Sequence, residues 1–332
     1  MNKKRWLAFG VFIVLLVAYM ASSAGKVKEE SQATNALTKY FNSSESKCTT
    51  KVYKEGTGQK LALIKIQGII TAGDSANTSF TNKETYNHRN FLQQIEAAFA
   101  DPQIKGVILQ VNSPGGGVYE SDEAYHNLLE LKAKYNKPVV VYMGQQAASG
   151  GYYISMAADK IYANNNTITG SIGVIMSTLN FTELANKIGI QDVTFKSANN
   201  KDLLNPLRPV TNDEQEIMQG IIMETYNRFV DVVAQGRNMD RQRVLELADG
   251  RIYSGAQAQS LGLVDEIGYE EDAIEGAAKL TNTSDPQVIL YQNEDNLFTD
   301  FFSNMRSPAI NLNGLSNQIQ QQRAPQIMYI SN

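Results

Sequence analysis

Two short stretches carry residues suited to acyl chemistry. Ala147-Ala148-Ser149-Gly150-Gly151-Tyr152-Tyr153 follows an apolar run and opens a short apolar helix. A serine at that junction has its hydroxyl near a helix N-terminus, where the dipole favours negative charge. The amide of Gly150 can donate to an oxyanion formed on a carbonyl that Ser149 attacks. The same position equally suits a serine that only caps the helix. The second stretch is Asn112-Ser113-Pro114-Gly115-Gly116-Gly117. Three glycines in a row leave backbone N–H groups unshielded, free to approach an anion or a developing oxyanion. A flexible turn is the competing reading. No Gly-Lys-Ser/Thr follows, so this is not a phosphate-binding P-loop.

A serine hydroxyl is a weak nucleophile without a base. The chain has only 2 histidines, His88 and His126. Neither sits in a pattern that pairs it with a serine, and both read as surface or structural residues. That turns attention to lysine, which can act as a base only if its proton affinity is lowered, chiefly by burial. Phe195-Lys196-Ser197-Ala198-Asn199-Asn200-Lys201-Asp202 holds two lysines, and composition alone does not choose this segment or either lysine.

These residues need a scaffold. Leu61–Ile70, Gly106–Val111, Pro138–Met143 and Lys160–Ala163 read as strands, with a further strand at Val193–Lys196. Asn90–Ala100, Val118–Tyr135, Ser149–Ala158 and Leu179–Ile188 read as helices. Continuous apolar strands alternating with helices imply an α/β fold with a parallel sheet covered on both faces. From Thr211 the chain turns helical. Thr211 with Glu214 predicts a capping box, followed by an apolar face that ends near Gly236. Helices are expected over Arg241–Ala248 and Ala256–Leu261. Residues 284–332 are rich in Asn, Gln and Ser and read as a polar tail, in which Gln326–Ile330 has the pattern of an edge strand.

The ends carry information about place. Lys3, Lys4 and Arg5 precede an apolar run from Trp6 to Ala21 that, with the small residues after it, is about long enough to cross a bilayer. The cations in front place the N-terminus in the cytoplasm and the rest outside. A cleaved secretory signal is the competing reading. This divides the chain into an anchor (1–25), a linker (26–58), a catalytic domain (59–283) and the tail (284–332). Cys48, the single cysteine, falls in the linker with no role assigned. A net charge of -4 argues against a nucleic-acid partner. No ligand cluster or nucleotide loop implies a metal or other cofactor.

Five motifs taken in order resemble signal peptide peptidase A, a family of bacterial membrane-bound Ser-Lys peptidases. They are Ser113-Pro-Gly-Gly-Gly117, Ala148-Ser149-Gly150-Gly151-Tyr152-Tyr153, Thr169-Gly170-Ser171-Ile172-Gly173-Val174, Lys196-Ser197 with Lys201-Asp202, and Gly250-Arg251-Ile252-Tyr253-Ser254-Gly255 continuing to Leu261-Gly262-Leu263-Val264-Asp265. The resemblance covers about Leu61 to Gly268. It implies the repeated ββα units of the Clp protease and crotonase group. It also implies Ser149 as nucleophile, Lys201 as general base, Ser171 orienting that lysine, and Gly116 and Gly150 as oxyanion donors. Relatives often carry a glycine between the two lysines, where this chain reads Ala198-Asn199-Asn200. The short, single-repeat members of the family assemble as homo-oligomeric rings whose neighbouring subunits complete each other's dyads. They act on remnant signal peptides and other small peptides at the membrane. Some bind or trim their own C-terminus, so the tail, with its Met328-Tyr329 pair, is expected in the groove. Two other functions fit part of the pattern: a crotonase-like acyl-CoA enzyme, disfavoured by the anchor and the Ser149/Lys201 pair, and a non-catalytic peptide-binding scaffold.

Overall fold

The computed structural model describes residues 48–72, 86–293 and 328–330. The apolar run Trp6–Ala21 lies outside them. Among the described residues no helix is long and apolar enough to cross a membrane.

Eleven strands and eight α-helices are found among the described residues. The first strands are β1 (Cys48–Lys54) and β2 (Lys60–Gln67), followed by helix α1 (His88–Ala100). Next come β3 (Ile104–Ser113), β4 (Gly115–Gly117), α2 (Val118–Tyr135), β5 (Val139–Ala148) and α3 (Gly150–Ser155). Strands β6 (Lys160–Ala163) and β7 (Ile168–Gly170) precede α4 (Thr182–Ile188) and a 3₁₀ turn over Asn199–Asp202. The helical part holds α5 (Asn212–Gly236) and α6 (Arg241–Leu247). It is followed by β8 (Ile252–Ser254), α7 (Gly255–Ser260), β9 (Glu266–Ile267) and α8 (Glu270–Leu280). Strands β10 (Gln287–Asn293) and β11 (Met328–Ile330) come last.

The main sheet runs β1-β10-β2-β3-β5-β6-β9, with β7 pairing to β5 and β8. Its centre is parallel, as expected, but the sheet as a whole is mixed: β1–β10 and β7–β8 are antiparallel. Period-two alternation along β2 builds two cores. Ala62, Ile64 and Ile66 face α1, α2, α3 and α5, while Leu61 and Leu63 face Ala273, Ile274 and Ala277 of α8. Each fully buried Leu or Ile side chain among them contributes about 1.5–3 kcal/mol. This burial fixes the carboxyl ends of β3 and β5, where the two reactive stretches begin.

Three expectations need correction. Residues 48–54 are not linker: β1 pairs with β10 along the outer edge of the sheet. An edge strand exposed on both faces needs no apolar alternation, which is why its polar sequence hid it. Cys48 lies half-buried there, and burial pushes its thiol pKa up. Residues 287–293 are likewise not loose tail, because β10 pairs parallel with β2 and buries Val288, Ile289 and Tyr291. Conversely, Val193–Lys196 forms no strand. No described residue covers its apolar side chains, and Phe195 is 95% exposed.

Candidate active site

Ser149 stands between β5 and α3 with φ 53° and ψ -117°, a conformation that an L-residue adopts only under constraint. The constraint is visible. The Ser149 N–H donates to Gly170 O (2.8 Å), and the Ser149 carbonyl accepts from Tyr153 N (2.8 Å). The residue occupies the cap position of α3, yet its side chain makes no capping bond. Its Oγ is buried and has no hydrogen-bond partner among the described residues. A hydroxyl held at a helix start and engaged in nothing is what a nucleophile requires, and what a cap is not.

The glycine strand β4 lies beside it. Gly115 O accepts from Ile70 N (2.9 Å), and Gly117 N donates to Ile70 O (2.7 Å). Backbone groups of alternate residues point to opposite sides of a strand, so the N–H of Gly116 points away from Ile70. A Cβ built on Gly150 would come within 3.2 Å of Gly116 N and 2.4 Å of Ser121 Oγ. The Gly116 and Gly150 backbones therefore converge in a space with no room for a side chain.

The side that Gly116 faces is occupied. Strand β11 pairs antiparallel with β4, Met328 opposite Gly117, Tyr329 opposite Gly116 and Ile330 opposite Gly115. Its other edge is held by Ile175 through two bonds, Ile175 N to Met328 O (3.1 Å) and Met328 N to Ile175 O (3.0 Å). Of the expected strand Gln326–Ile330 the described part, Met328–Ile330, is a strand, and it lies between the glycine strand and Ile175. Tyr329 is buried in an aromatic seat, stacked on Tyr153 (5.1 Å between centroids) and tilted against Phe229 (4.7 Å). Its hydroxyl donates to Thr225 O (3.2 Å). Tyr153 in turn donates to Asp122 Oδ1 (2.5 Å), and burial with that bond holds the phenol protonated far above its usual range. The tyrosine pair of the serine motif was legible as a pattern, but its part in a side-chain seat was not.

Ser171 has φ 49° and donates its N–H to Arg251 O (2.8 Å). It lines a cavity of about 790 Å³ shared with Val174, Ile175, Met223, Tyr226 and Ile330. Both serines of the predicted set are therefore held at positive φ, either side of the β5–β7 pairing.

The lysines stand apart from this ensemble. Lys196 Nζ is bound to Asp202 Oδ1 (2.7 Å) and Asn199 O (3.1 Å). Lys201 is exposed on the 3₁₀ turn, and its Nζ has no hydrogen bond or ion pair with any described residue. Since Ser149 Oγ has no partner, neither lysine reaches it within this chain. Arg208, then Lys196, hold the Asp202 carboxyl well below the usual carboxylate range. Arg208 also pairs with Glu214, whose pKa falls to about 2. The capping box of Thr211 and Glu214 is present as expected. His88 bonds Tyr86 Oη (2.6 Å) and Glu123 (2.7 Å), and His126 pairs with Glu130 on the surface. Neither histidine serves the serine. No group of three or more metal-ligating side chains is found among the described residues.

Peptidase family S49 matches residues 131–284. The "Putative signal peptide peptidase SppA" of Enterococcus faecium is 44% identical over 299 residues, which is 89% of this chain and 86% of that protein. "Protease 4" of Haemophilus influenzae is 38% identical over 67% of this chain but only 35% of its own length. "Serine protease SPPA, chloroplastic" of Arabidopsis thaliana is 32% identical over 72% of this chain and 36% of its own. With an Enterococcus relative this similar over most of both chains, the protein belongs to the signal peptide peptidase A group of peptidase family S49, a family of serine proteases.

Proposed function

We propose that the protein is a membrane-anchored serine endopeptidase acting outside the cytoplasm, with the ββα arrangement of the Clp protease and crotonase group. Ser149 is the nucleophile, and Lys201 of a neighbouring copy is the general base. Ser171 orients that lysine, while Gly116 and Gly150 receive the oxyanion. One observation carries the reading: a buried, unpartnered serine hydroxyl lies beside two converging glycine backbones, across which a peptide strand is already laid.

Ser149 Oγ attacks the carbonyl of a peptide seated where Met328–Ile330 lies, and the proton passes to the lysine amine. Negative charge develops on the carbonyl oxygen, which the Gly116 and Gly150 N–H groups stabilise. Collapse breaks the C–N bond, the leaving amine takes the proton from the lysine, and water then hydrolyses the ester. The base comes from a second copy because the segment carrying it is unsupported in one chain. Leu179 is 71% exposed and Phe195 95% exposed. A homo-oligomer would bury these side chains and bring a lysine to the site. The aromatic seat, beside a cavity lined by Ile175, Ile222 and Met223 as well as by Asp249 and Arg251, suits remnants of signal peptides and other small unfolded peptides.

Labelling with a serine-reactive peptidyl phosphonate tests this. Wild type reacts, whereas Ser149→Ala and Lys201→Ala do not. Labelling of Ser149→Ala would remove the nucleophile, and labelling lost in Lys196→Ala but kept in Lys201→Ala would move the base. Intact mass tests whether the tail is also cut: shortening in wild type but not in Ser149→Ala is expected, and equal masses would mean that it is only bound.

A further inference from the structure

Ser113 takes no part in the proposed chemistry, yet it stands at the meeting point of both walls of the site. It is fully buried at the end of β3. Its backbone pairs with Ala147, two residues before the nucleophile. A Cβ built on Gly151 would come within 3.0 Å of Ser113 O and 3.4 Å of Ser113 Cβ, so the start of α3 rests directly on this residue. On the other side, Ser113 Oγ accepts the N–H of Gly115 (3.0 Å).

That bond has a consequence for the glycine strand. Gly115 sits at φ 101°. Its carbonyl is taken by Ile70 N and its N–H by Ser113 Oγ, and Pro114 before it has no N–H. Gly117 N is taken by Ile70 O. Of the three glycine amides, only that of Gly116 is left to face the groove. Without the serine oxygen, Gly115 is free to turn its own amide inward, because glycine populates both signs of φ.

We propose that Ser113 is a positioning residue for the oxyanion site: its buried hydroxyl oxygen fixes Gly115 and thereby selects Gly116 as the amide presented beside Gly150. This rests on the peptidase reading above. It concerns the transition state only, since the tetrahedral oxygen, more than the bound peptide, depends on where those amides point.

The test uses the full chain in detergent micelles, with a fluorogenic peptide and the peptidyl phosphonate. Ser113→Ala should lose roughly 10- to 100-fold in kcat with KM within about twofold, and phosphonate labelling should slow by the same factor. Ser113→Thr keeps the acceptor oxygen and should recover most of kcat. Ser155→Ala is the control. It removes an equally buried hydroxyl, one that bonds Gly151 O (2.8 Å) within its own helix, and should leave both constants unchanged.

Unchanged kcat in Ser113→Ala, a loss confined to KM, or a loss matched by Ser155→Ala would each overturn the proposal. If Ser113→Ala shows no cooperative melting, folded Ser113→Thr decides: near-wild-type kcat sustains the role and a large loss ends it. A wild type that never labels removes the peptidase reading instead. Hydrogen exchange at the Gly115 amide then decides the role of Ser113: faster exchange in Ser113→Ala than in wild type supports the hold, and equal exchange overturns it.

Discussion

The nucleophile wall and the lysine-bearing arm are built on opposite terms. Around Ser149 the frame is finished within one chain: Tyr152, Tyr153, Ala147 and Ala148 are buried, and the N–H and C=O of Ser149 are both bonded. From Ile175 to Asp202 almost every residue is exposed, including Leu179, Ile188, Val193 and Phe195. The arm is nonetheless shaped. Lys196, Asp202, Arg208 and Glu214 form a run of ion pairs at six-residue spacing that ties its far end to the start of α5. A strained hydroxyl can be held only by a rigid, fully packed frame. A base delivered by a second copy, as proposed, would need the reverse, a surface left uncovered until the copies meet. The difference separates what folding alone provides from what assembly would add.

The sharpest way to break that division is to mix two inactive proteins. Ser149→Ala and Lys201→Ala should each lose activity by about 10⁴-fold or more. A one-to-one mixture, unfolded and refolded together, should regain about a quarter of wild-type peptidase activity, because a site is whole when a serine-bearing copy meets a lysine-bearing neighbour. No recovery would place the dyad within one chain. Next in size is the arm's surface. Phe195→Asp with Leu179→Asp should reduce activity more than tenfold and lower the mass seen by light scattering, with little change in the melting of the core.

A smaller effect isolates the strain on the nucleophile side. Ser149→Gly should be more stable than Ser149→Ala by about 1 kcal/mol in urea unfolding, since relief of roughly 1–3 kcal/mol of backbone strain exceeds the 0.4–1 kcal/mol entropic cost of glycine. Equal stabilities would mean that the φ of 53° is unstrained. The smallest effect is the arm's response to acid. The Glu214 pKa falls from 4.5 to about 2, held down first by Arg208 and then by the Thr211 backbone. Its ionised form is therefore favoured by folding: the contribution is complete above about pH 4.5 and lost as pH falls toward 2. Hydrogen exchange over 196–214 should rise through that window ahead of exchange in β2 and β3, and Glu214→Gln should weaken the dependence, leaving the part that Asp202 carries.

How far the sequence could be read follows the same division. Val118–Tyr135 and Lys160–Ala163 were legible to the residue, because burial imposes a period on the helix and a continuous apolar run on the strand. The Thr211/Glu214 cap was legible because two short side chains satisfy it locally. Ser149 and the glycines could be located, but cap and nucleophile differ only in φ and in an unmade bond, which no residue type records. Val193–Lys196 misled for a physical reason: an apolar β-branched run looks the same whether a sheet or another molecule covers it. β1 was missed for the converse reason, since an edge strand has little to bury. The Tyr329 seat joins residues far apart in sequence, among them Tyr125, Tyr153 and Phe229, and only the folded chain brings them together.

The short strand Met328–Ile330 is gripped along both edges, by Gly115–Gly117 on one side and Ile175 on the other. A guest in that slot must bring a stretch of backbone whose N–H and C=O groups are unspent on either flank. Helices have spent theirs internally, and strands inside a sheet have spent theirs on neighbours. The slot is therefore a gauge of foldedness before it is a reader of side chains. On the proposed peptidase reading, an intact domain would be turned away for want of free backbone, while a fragment that has lost its partners would fit.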